Sequence, residues 1–88
     1  MMSVKLTINA WNCKLPPGQK LVLLTLCNLA NRQGRCWPTV EAISSYCGMA
    51  EATVRAHLRG LERFGFITRD LIGRFGMVYT ITLPKDVK

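Results

Sequence analysis

The stretch TVEAISSYCGMAEATVRAHLRGLERFGF, residues 39–66, decides the fold of this chain. Apolar residues at helical spacing stand on both sides of Gly48, where the chain must reverse its direction within about three or four residues. The spacing predicts a short helix over residues 40–46, a tight turn over residues 47–49 and a second helix over residues 51–64. This pattern is a helix-turn-helix.

Single residues mark the ends of both helices. Thr39 is predicted as the N-cap of the short helix, because its hydroxyl can accept a hydrogen bond from an unpaired backbone N–H of the first turn. Glu41 follows in that turn, where the helix dipole favours a negative charge. Gly65 provides a left-handed stop after the second helix.

The residues before this stretch predict an extended arm and one more helix. Residues 4–11 alternate between apolar and polar side chains, which predicts a strand, and we assign residues 1–15 to an N-terminal strand or arm. Two prolines and a glycine at positions 16–18 are incompatible with a strand or a helix interior but suit a helix start. A helix is therefore expected over residues 19–31, ended by Gly34 and followed by a short extended piece.

The residues after the stretch predict a β-hairpin. Residues 66–69 and residues 77–83 have strand-like composition, and residues 72–76 between them contain two glycines that permit a turn. The complete order is helix, extended piece, helix, helix, strand, loop, strand. It predicts an α+β winged helix-turn-helix over residues 16–88, with three helices and a C-terminal hairpin wing.

The first predicted helix has two apolar faces. Its broad stripe consists of Val22, Leu23, Leu26, Leu29 and Ala30. Leu21 and Leu24 lie on the other side of the helix, among polar residues. Two explanations stay open for that side: the N-terminal strand or arm covers it, or Leu21 and Leu24 contact a second copy of the chain or another partner.

Composition limits the classes of partner. The chain has 88 residues, of which 12 are lysine or arginine and 5 are acidic, for a net charge of +7. This length allows one small domain, and the excess positive charge predicts a polyanionic partner rather than a small-molecule substrate. No apolar run has the length of a transmembrane helix, and the first residues lack the pattern of a signal peptide. An intracellular protein without a membrane partner is therefore expected.

The reactive residue types do not suggest an enzyme or a metal site. The four cysteines, at positions 13, 27, 36 and 47, form no C-x-x-C pair, and the single histidine, His57, has no ligand partner near it in sequence. Four free thiols are expected, without a metal or another cofactor. The chain contains no carboxylate pair, nucleophile–base set or phosphate-binding loop, so it is predicted not to be an enzyme.

Positive charge on the second helix of the helix-turn-helix makes double-stranded DNA the predicted partner. Leu58 and Leu61 fall within about 40° of Val54 around that helix, and these three residues define its buried side. A helix in the major groove brings its N-terminal residues to base edges and its flanks to phosphates. The predicted contacts on the opposite side and its edges are Ala52, Thr53, Arg55, Ala56, Arg59 and Arg63.

Three residues outside that helix complete the predicted DNA-binding set. Arg69 lies on the first strand of the wing and Arg74 at its tip, where both could reach the flanking minor groove or the backbone. Thr39 can donate to a phosphate in addition to its capping role. His57, at the edge of the buried side, is expected to have a packing role, and Trp37 is expected in the core or at its boundary.

A protein-interaction winged helix is the alternative to a DNA-binding one. Its contact surface would be the smooth row of Ala52, Ala56 and Gly60, or the side of the first helix that carries Leu21 and Leu24. The arginines would then be a solvated face with the helix pairs Glu51–Arg55 and Arg59–Glu62.

Three segments resemble the winged helix-turn-helix domains of phage and plasmid replication-initiation proteins and related small DNA-binding regulators. These segments are residues 20–39, residues 48–67 and the terminal VYTITL. The most specific motifs are A-N-x-x-G-x-C-W-P at residues 30–38 and T-V-R-x-H-L-x-x-L-E at residues 53–62. The resemblance implies binding of double-stranded DNA, with Thr53, Arg55 and Arg59 facing it, in the cytoplasm of a bacterial or phage-infected cell.

Two features qualify what the resemblance implies. Such domains usually have serine at the N-cap of the recognition helix and then a basic or polar pair, where this chain has Ala50, Glu51 and Ala52. The missing cap is worth about 1 kcal/mol. A chain that ends at Lys88 leaves no room for a primase or ligand domain. Unless the chain is a fragment of a longer protein, this favours a stand-alone transcriptional regulator over the DNA-binding domain of a replication initiator.

Overall fold

A computed structural model describes residue 10, residues 13–73 and residues 76–82 of the chain. The elements in chain order are α1 (Pro17–Leu29), β1 (Arg35–Cys36), α2 (Val40–Cys47), α3 (Glu51–Arg63), β2 (Ile67–Ile72) and β3 (Gly76–Ile81). The strands form one antiparallel sheet in the order β1-β3-β2. This architecture is the predicted α+β winged helix-turn-helix.

The helix α1 begins and ends two residues before its predicted bounds. Pro17 occupies the first turn, where its missing N–H costs no hydrogen bond. The helix stops because Ala30 is extended, with φ of −73° and ψ of 145°. The prediction that Gly34 ends the helix is wrong: Gly34 has φ of 76° and lies in the turn that leads into β1.

The helix-turn-helix forms as predicted. The Oγ1 atom of Thr39 accepts a hydrogen bond of 3.0 Å from the N–H of Ala42, which confirms the N-cap of α2. Gly48 has φ of 67°, a left-handed conformation that reverses the chain. The N–H groups of Gly48 and Met49 both donate to the carbonyl of Ser44, and the Ser44 hydroxyl donates to the Met49 carbonyl. These bonds hold α2 and α3 in a fixed relation.

The wing is longer than the sequence predicted, and it has a third strand. β2 and β3 pair from Ile67↔Ile81 to Ile72↔Gly76, so the predicted loop 72–76 contains the last pair of the hairpin. β1 pairs with β3 through Arg35↔Thr80 and Cys36↔Tyr79. Arg74, predicted at the tip of the wing, lies outside the described residues.

The core lies between the three helices and one face of the sheet. α3 contributes Val54, Leu58 and Leu61, the three residues predicted for its buried side. The largest fully buried side chains of the other elements are Val22, Leu23, Leu26, Cys27, Ile43 and Ile67. Because the buried side of α3 is fixed by these contacts, its opposite side must face solvent.

The predicted N-terminal strand over residues 4–11 lies outside the described residues, except for Ala10. Ala10 has helical backbone conformation and is fully buried in the core, so the strand prediction is wrong at this position. Its carbonyl accepts a hydrogen bond from the N–H of Cys13. Ala10 therefore supplies a core contact.

The two residues predicted as a dimer or partner contact differ in burial. Leu24 is partly buried and packs against the core. Leu21 is 42% exposed, and its carbonyl accepts a hydrogen bond of 2.9 Å from the hydroxyl of Thr25. Only Leu21 is therefore accessible to a partner, and the contact proposed for this pair is a weak candidate.

The four cysteines form no disulfide, and two of them ionise only at high pH. Burial raises the pKa of Cys27 and of Cys36 to about 12 from an ordinary value of 9.0. The unfolded chain ionises these thiols first, so the folded state binds more protons above pH 9.0. The stability contributed by the neutral thiols is complete below that pH and is lost as the pH rises toward about 12.

We expect the free energy of unfolding to fall as the pH is raised above 9.0. Urea denaturation at a series of pH values, followed by circular dichroism, measures it. The matched variant C27A/C36A lacks both thiols and should show a shallower decline, although its stability at neutral pH is lower. Equal slopes for the two proteins above pH 9.0 would show that these thiols do not control the alkaline decline.

Candidate nucleic-acid interface

The outward side of α3 is an exposed surface that runs along the whole helix. Its six predicted DNA contacts are all exposed: Ala52, Thr53, Arg55, Ala56, Arg59 and Arg63. They lie opposite or beside the line of Val54, Leu58 and Leu61, which is fully buried. We call these six residues the α3 surface. Arginines lie along this surface, and the side chains between them are small.

The start of α1 covers one flank of α3. A Cβ atom at position 60 would lie 2.7 Å from Nε2 of Gln19, and a Cβ atom at position 18 would lie 2.6 Å from Nε2 of His57. Gly60 is therefore not part of the exposed row with Ala52 and Ala56, because α1 lies against it. The contact with Gly18 confirms the packing role predicted for His57.

The wing covers the other flank of α3. Nε and Nη2 of Arg69 donate to Oε1 of Glu62 at 3.0 and 2.7 Å. The predicted Arg59–Glu62 pair is wrong, because Glu62 points toward β2 rather than along the helix. Arg69 also lies opposite Tyr79 in the sheet. The Arg69–Glu62 pair thus connects the wing to the C-terminal half of α3.

The arginines of the α3 surface differ in their ionic contacts. Nη2 of Arg55 lies 3.3 Å from Oε1 of Glu51, which confirms this predicted helix pair. In the part of the chain that the structure describes, Arg59 and Arg63 have no carboxylate partner. Their charges are therefore compensated only by solvent ions, which a polyanion can displace.

The charges of Arg69 and Arg55 both act on Tyr79, a buried residue of β3. Burial raises the pKa of Tyr79, while the charges of Arg69 and Arg55 act in the opposite direction. Tyr79 is almost fully buried, and both arginines lie close enough to it to favour its ionised form. Arg69 from the wing and Arg55 from α3 therefore act on the same buried ring, while each is also paired with a glutamate.

The hydroxyl groups of α2 have different roles. Thr39 is exposed, and its oxygen accepts the capping hydrogen bond, so its proton stays available for an acceptor such as a phosphate oxygen. The Ser44 hydroxyl donates within the turn and is not available. Ser45 is exposed on the same helix. The predicted phosphate contact of Thr39 is thus compatible with its capping role.

The N-terminus of α3 lacks a side-chain cap. Ala50 occupies the N-cap position and makes no side-chain hydrogen bond to the first turn. We expect A50S to stabilise the domain by about 1 kcal/mol, because a serine oxygen can accept from an unpaired N–H there. In a domain of this size, that gain raises the melting temperature by roughly 4–8 °C.

Thermal unfolding monitored by circular dichroism measures this gain. A52S is the matched control, since it adds the same hydroxyl two positions later, inside the exposed first turn. It should leave the melting temperature unchanged or lower it slightly. If both variants melt at the same temperature, position 50 does not act as the N-cap.

Sequence analysis missed two features of the site. The first is the Glu62 contact of Arg69, a pair separated by seven positions across a turn. The second is the contact between Gln19 and Gly60, which joins α1 to α3. Predicting the Arg69–Glu62 pair requires the position of β2 relative to α3. Predicting the Gln19–Gly60 contact requires the way in which α1 crosses α3.

The described residues offer no sign of a metal or membrane site. Among them, no three His, Cys, Asp or Glu side chains lie close enough together to hold a metal ion. Within the same ranges, no helix has both the length and the apolar character needed to cross a membrane.

Comparison with known proteins identifies the family to which the helix-turn-helix belongs. A family model described as a helix-turn-helix domain matches residues 14–67, which contain α1, β1, α2 and α3. Protein YmfN of Escherichia coli (strain K12) is 36% identical over 72 residues, which cover 77% of this chain and 16% of that protein. The chain thus spans a small part of the length of this relative. Since the family model matches more than half of the 88 residues, this chain belongs to the helix-turn-helix domain family, a family of DNA-binding domains.

Proposed function

We propose that this domain binds double-stranded DNA in a sequence-specific manner, with α3 in the major groove. The observation that carries the proposal is the α3 surface, on which Arg59 and Arg63 are exposed without a carboxylate partner among the described residues. Its central side chains are small enough for the helix to approach the bases closely. The recognition helix of a helix-turn-helix is used in this way.

The first half of α3 supplies the base contacts in this proposal. Ala52 and Ala56 place methyl groups where they can pack against thymine methyls, and Thr53 offers a hydroxyl to either base type. Arg55 can form a bidentate contact with guanine after it leaves Glu51. That step costs little, because an exposed ion pair of this kind contributes about 0–1 kcal/mol.

The proposed phosphate contacts surround these bases. Arg59 and Arg63 continue along α3, and Thr39 donates from the start of α2. Arg69 can contribute through Nη1, because its Nε and Nη2 atoms donate to Glu62. Arg74, which lies outside the described residues, is proposed to contact the flanking minor groove or backbone. Together these groups would fix the orientation of the domain on the duplex.

Two biological roles fit the proposed activity. The domain can act as a transcriptional regulator or as the DNA-binding domain of a replication initiator, since both locate a DNA site by the same surface. Protein YmfN is a much longer protein, of which this chain corresponds to 16%. The proposed location is the cytoplasm of a bacterial or phage-infected cell, where the duplex is found.

Selection from a pool of randomised duplexes tests the proposal directly. We expect one sequence to be enriched and to bind at least about 1000-fold more tightly than a scrambled duplex. The R55A variant, selected in parallel, should enrich the sequence less strongly, because Arg55 is a proposed base contact. Binding of all duplexes with equal affinity would contradict sequence-specific recognition, and no binding at all would favour the alternative of a protein-interaction module.

A further inference from the structure

Trp37 and Glu51 are exposed, and neither has a part in the DNA contacts proposed above. Trp37 follows β1 and is 53% exposed, so the expectation that it lies in the core or at its boundary is wrong. Glu51 is the first residue of α3 and directly precedes the α3 surface. A carboxylate at that end of a recognition helix enters a polyanionic groove. The charge of Glu51 is therefore unfavourable for DNA binding unless a base supplies it with a hydrogen-bond donor.

The two glutamates of α3 differ in how firmly they are held. Glu62 accepts two hydrogen bonds, of 3.0 and 2.7 Å, from the guanidinium of Arg69. Glu51 has one longer contact, of 3.3 Å, between its Oε1 and Nη2 of Arg55, and about half of each of these two side chains is exposed. Among the described residues, Oε2 of Glu51 has no hydrogen-bond partner. Glu51 can therefore accept from a base without losing a strong contact, whereas Glu62 cannot.

The chemistry of a carboxylate selects one base. An ionised carboxylate accepts hydrogen bonds and donates none. The donors that the major groove presents are the N4 amino group of cytosine and the N6 amino group of adenine. On adenine the acceptor N7 lies beside the amino group, where it repels a carboxylate, whereas cytosine has no acceptor beside N4. A glutamate that faces the bases is therefore expected to prefer cytosine.

The proposed role of Arg55 makes the carboxylate of Glu51 available. When Arg55 turns to guanine, its contact with Oε1 of Glu51 is lost, and the carboxylate needs another donor. Residues four apart lie on one face of a helix, with their Cβ atoms about 5–6 Å apart. Successive base pairs are about 3.4 Å apart along the duplex. The two side chains are therefore expected to reach bases that are about one or two base pairs apart.

We propose that Glu51 determines part of the sequence specificity, by accepting a hydrogen bond from N4 of a cytosine close to the guanine of Arg55. This inference rests on the proposed function, because it requires α3 in the major groove. A glutamate with only a structural role would stabilise the start of α3 through the helix dipole and would hold Arg55, without a preference for any base. The two roles predict different outcomes when Glu51 is replaced.

Selection from randomised duplexes with E51Q and E51A distinguishes these roles. A glutamine amide both donates and accepts, which suits N6 and N7 of adenine. E51Q should therefore change the enriched base at one position from cytosine to adenine, and E51A should accept every base there. For the wild-type chain, a duplex with another base in place of that cytosine should bind about tenfold more weakly. E41Q is the matched control, since Glu41 is an exposed glutamate in the first turn of α2, and it should enrich the wild-type sequence.

The outcomes for the two Glu51 variants are distinct from a failure of DNA recognition. Both variants should still enrich the guanine that R55A ceases to enrich, and circular dichroism checks that they are folded. Identical enriched sequences for the wild type, E51Q and E51A would overturn the inference and leave the proposed function intact. Loss of every base preference in both variants would also overturn it, because Glu51 would then act by holding α3 or Arg55 in place. A wild-type chain that enriches no sequence contradicts the proposed function, and the inference fails with it.

Discussion

Replacing Arg55 and Arg59 together by alanine should weaken binding to the selected duplex by about 100-fold. Each arginine that contacts guanine or its flanking phosphate contributes roughly 1–3 kcal/mol, and both belong to the exposed surface of α3. Since neither side chain is buried, folding should be unaffected. Fluorescence anisotropy with a labelled duplex measures the change in Kd.

Arg32 offers a matched control for this variant. It is an exposed arginine on the turn after α1, and it has no place on the α3 surface. R32A should weaken binding much less than either R55A or R59A does. If R55A/R59A binds the duplex as the wild type does, α3 is not the recognition helix. If R32A is equally defective, the effect is one of net charge rather than of a specific surface.

The largest effect on stability is expected for Leu61→Ala. Leu61 is fully buried on α3, in the cluster that joins this helix to α1 and β2. Truncation removes the transfer free energy of the side chain and leaves a cavity, at a total cost of about 2–5 kcal/mol. That is a large part of the roughly 5–15 kcal/mol that stabilises a typical domain. Urea denaturation measures the loss.

Leu21→Ala removes the same atoms from an exposed position. Leu21 is 42% exposed, so its truncation should lower the free energy of unfolding by no more than about 1 kcal/mol. A destabilisation of L61A no larger than that of L21A would show that α3 does not pack as described. The α3 surface faces solvent because Leu61 and its neighbours on the opposite side of α3 are buried. If Leu61 is not buried, the structural basis for the predicted DNA contacts on α3 is lost.

Local sequence patterns were sufficient to predict the helix-turn-helix. The cap at Thr39 and the left-handed Gly48 each form hydrogen bonds with residues no more than four positions away, so both can be recognised in a short stretch of sequence. The apolar spacing of α3 likewise predicted its buried side correctly. The predicted end of α1 was wrong, because the backbone is already extended at Ala30, four residues before Gly34. No glycine marks the position at which this helix ends.

Contacts between distant residues could not be predicted in the same way. The pairing of β1 with β3 joins Arg35 to Thr80, and no local pattern encodes such a register. For the candidate site, residue type and helical position predicted which side chains are exposed. They did not predict that Glu62 binds Arg69 or that Gln19 lies against Gly60, because both depend on how neighbouring elements cross.

The salt dependence of duplex affinity tests the central claim most directly. Each phosphate that is neutralised contributes about −0.9 to the slope of log K against log salt concentration. Phosphate contacts from Arg59, Arg63 and Arg69 therefore predict a slope of about −2.7, and a backbone contact of Arg74 makes it about −3.6. R59A should reduce the steepness by about 1. The account predicts this steep dependence together with a preference for one sequence. Affinity for duplex DNA that is absent, or independent of salt, would contradict it.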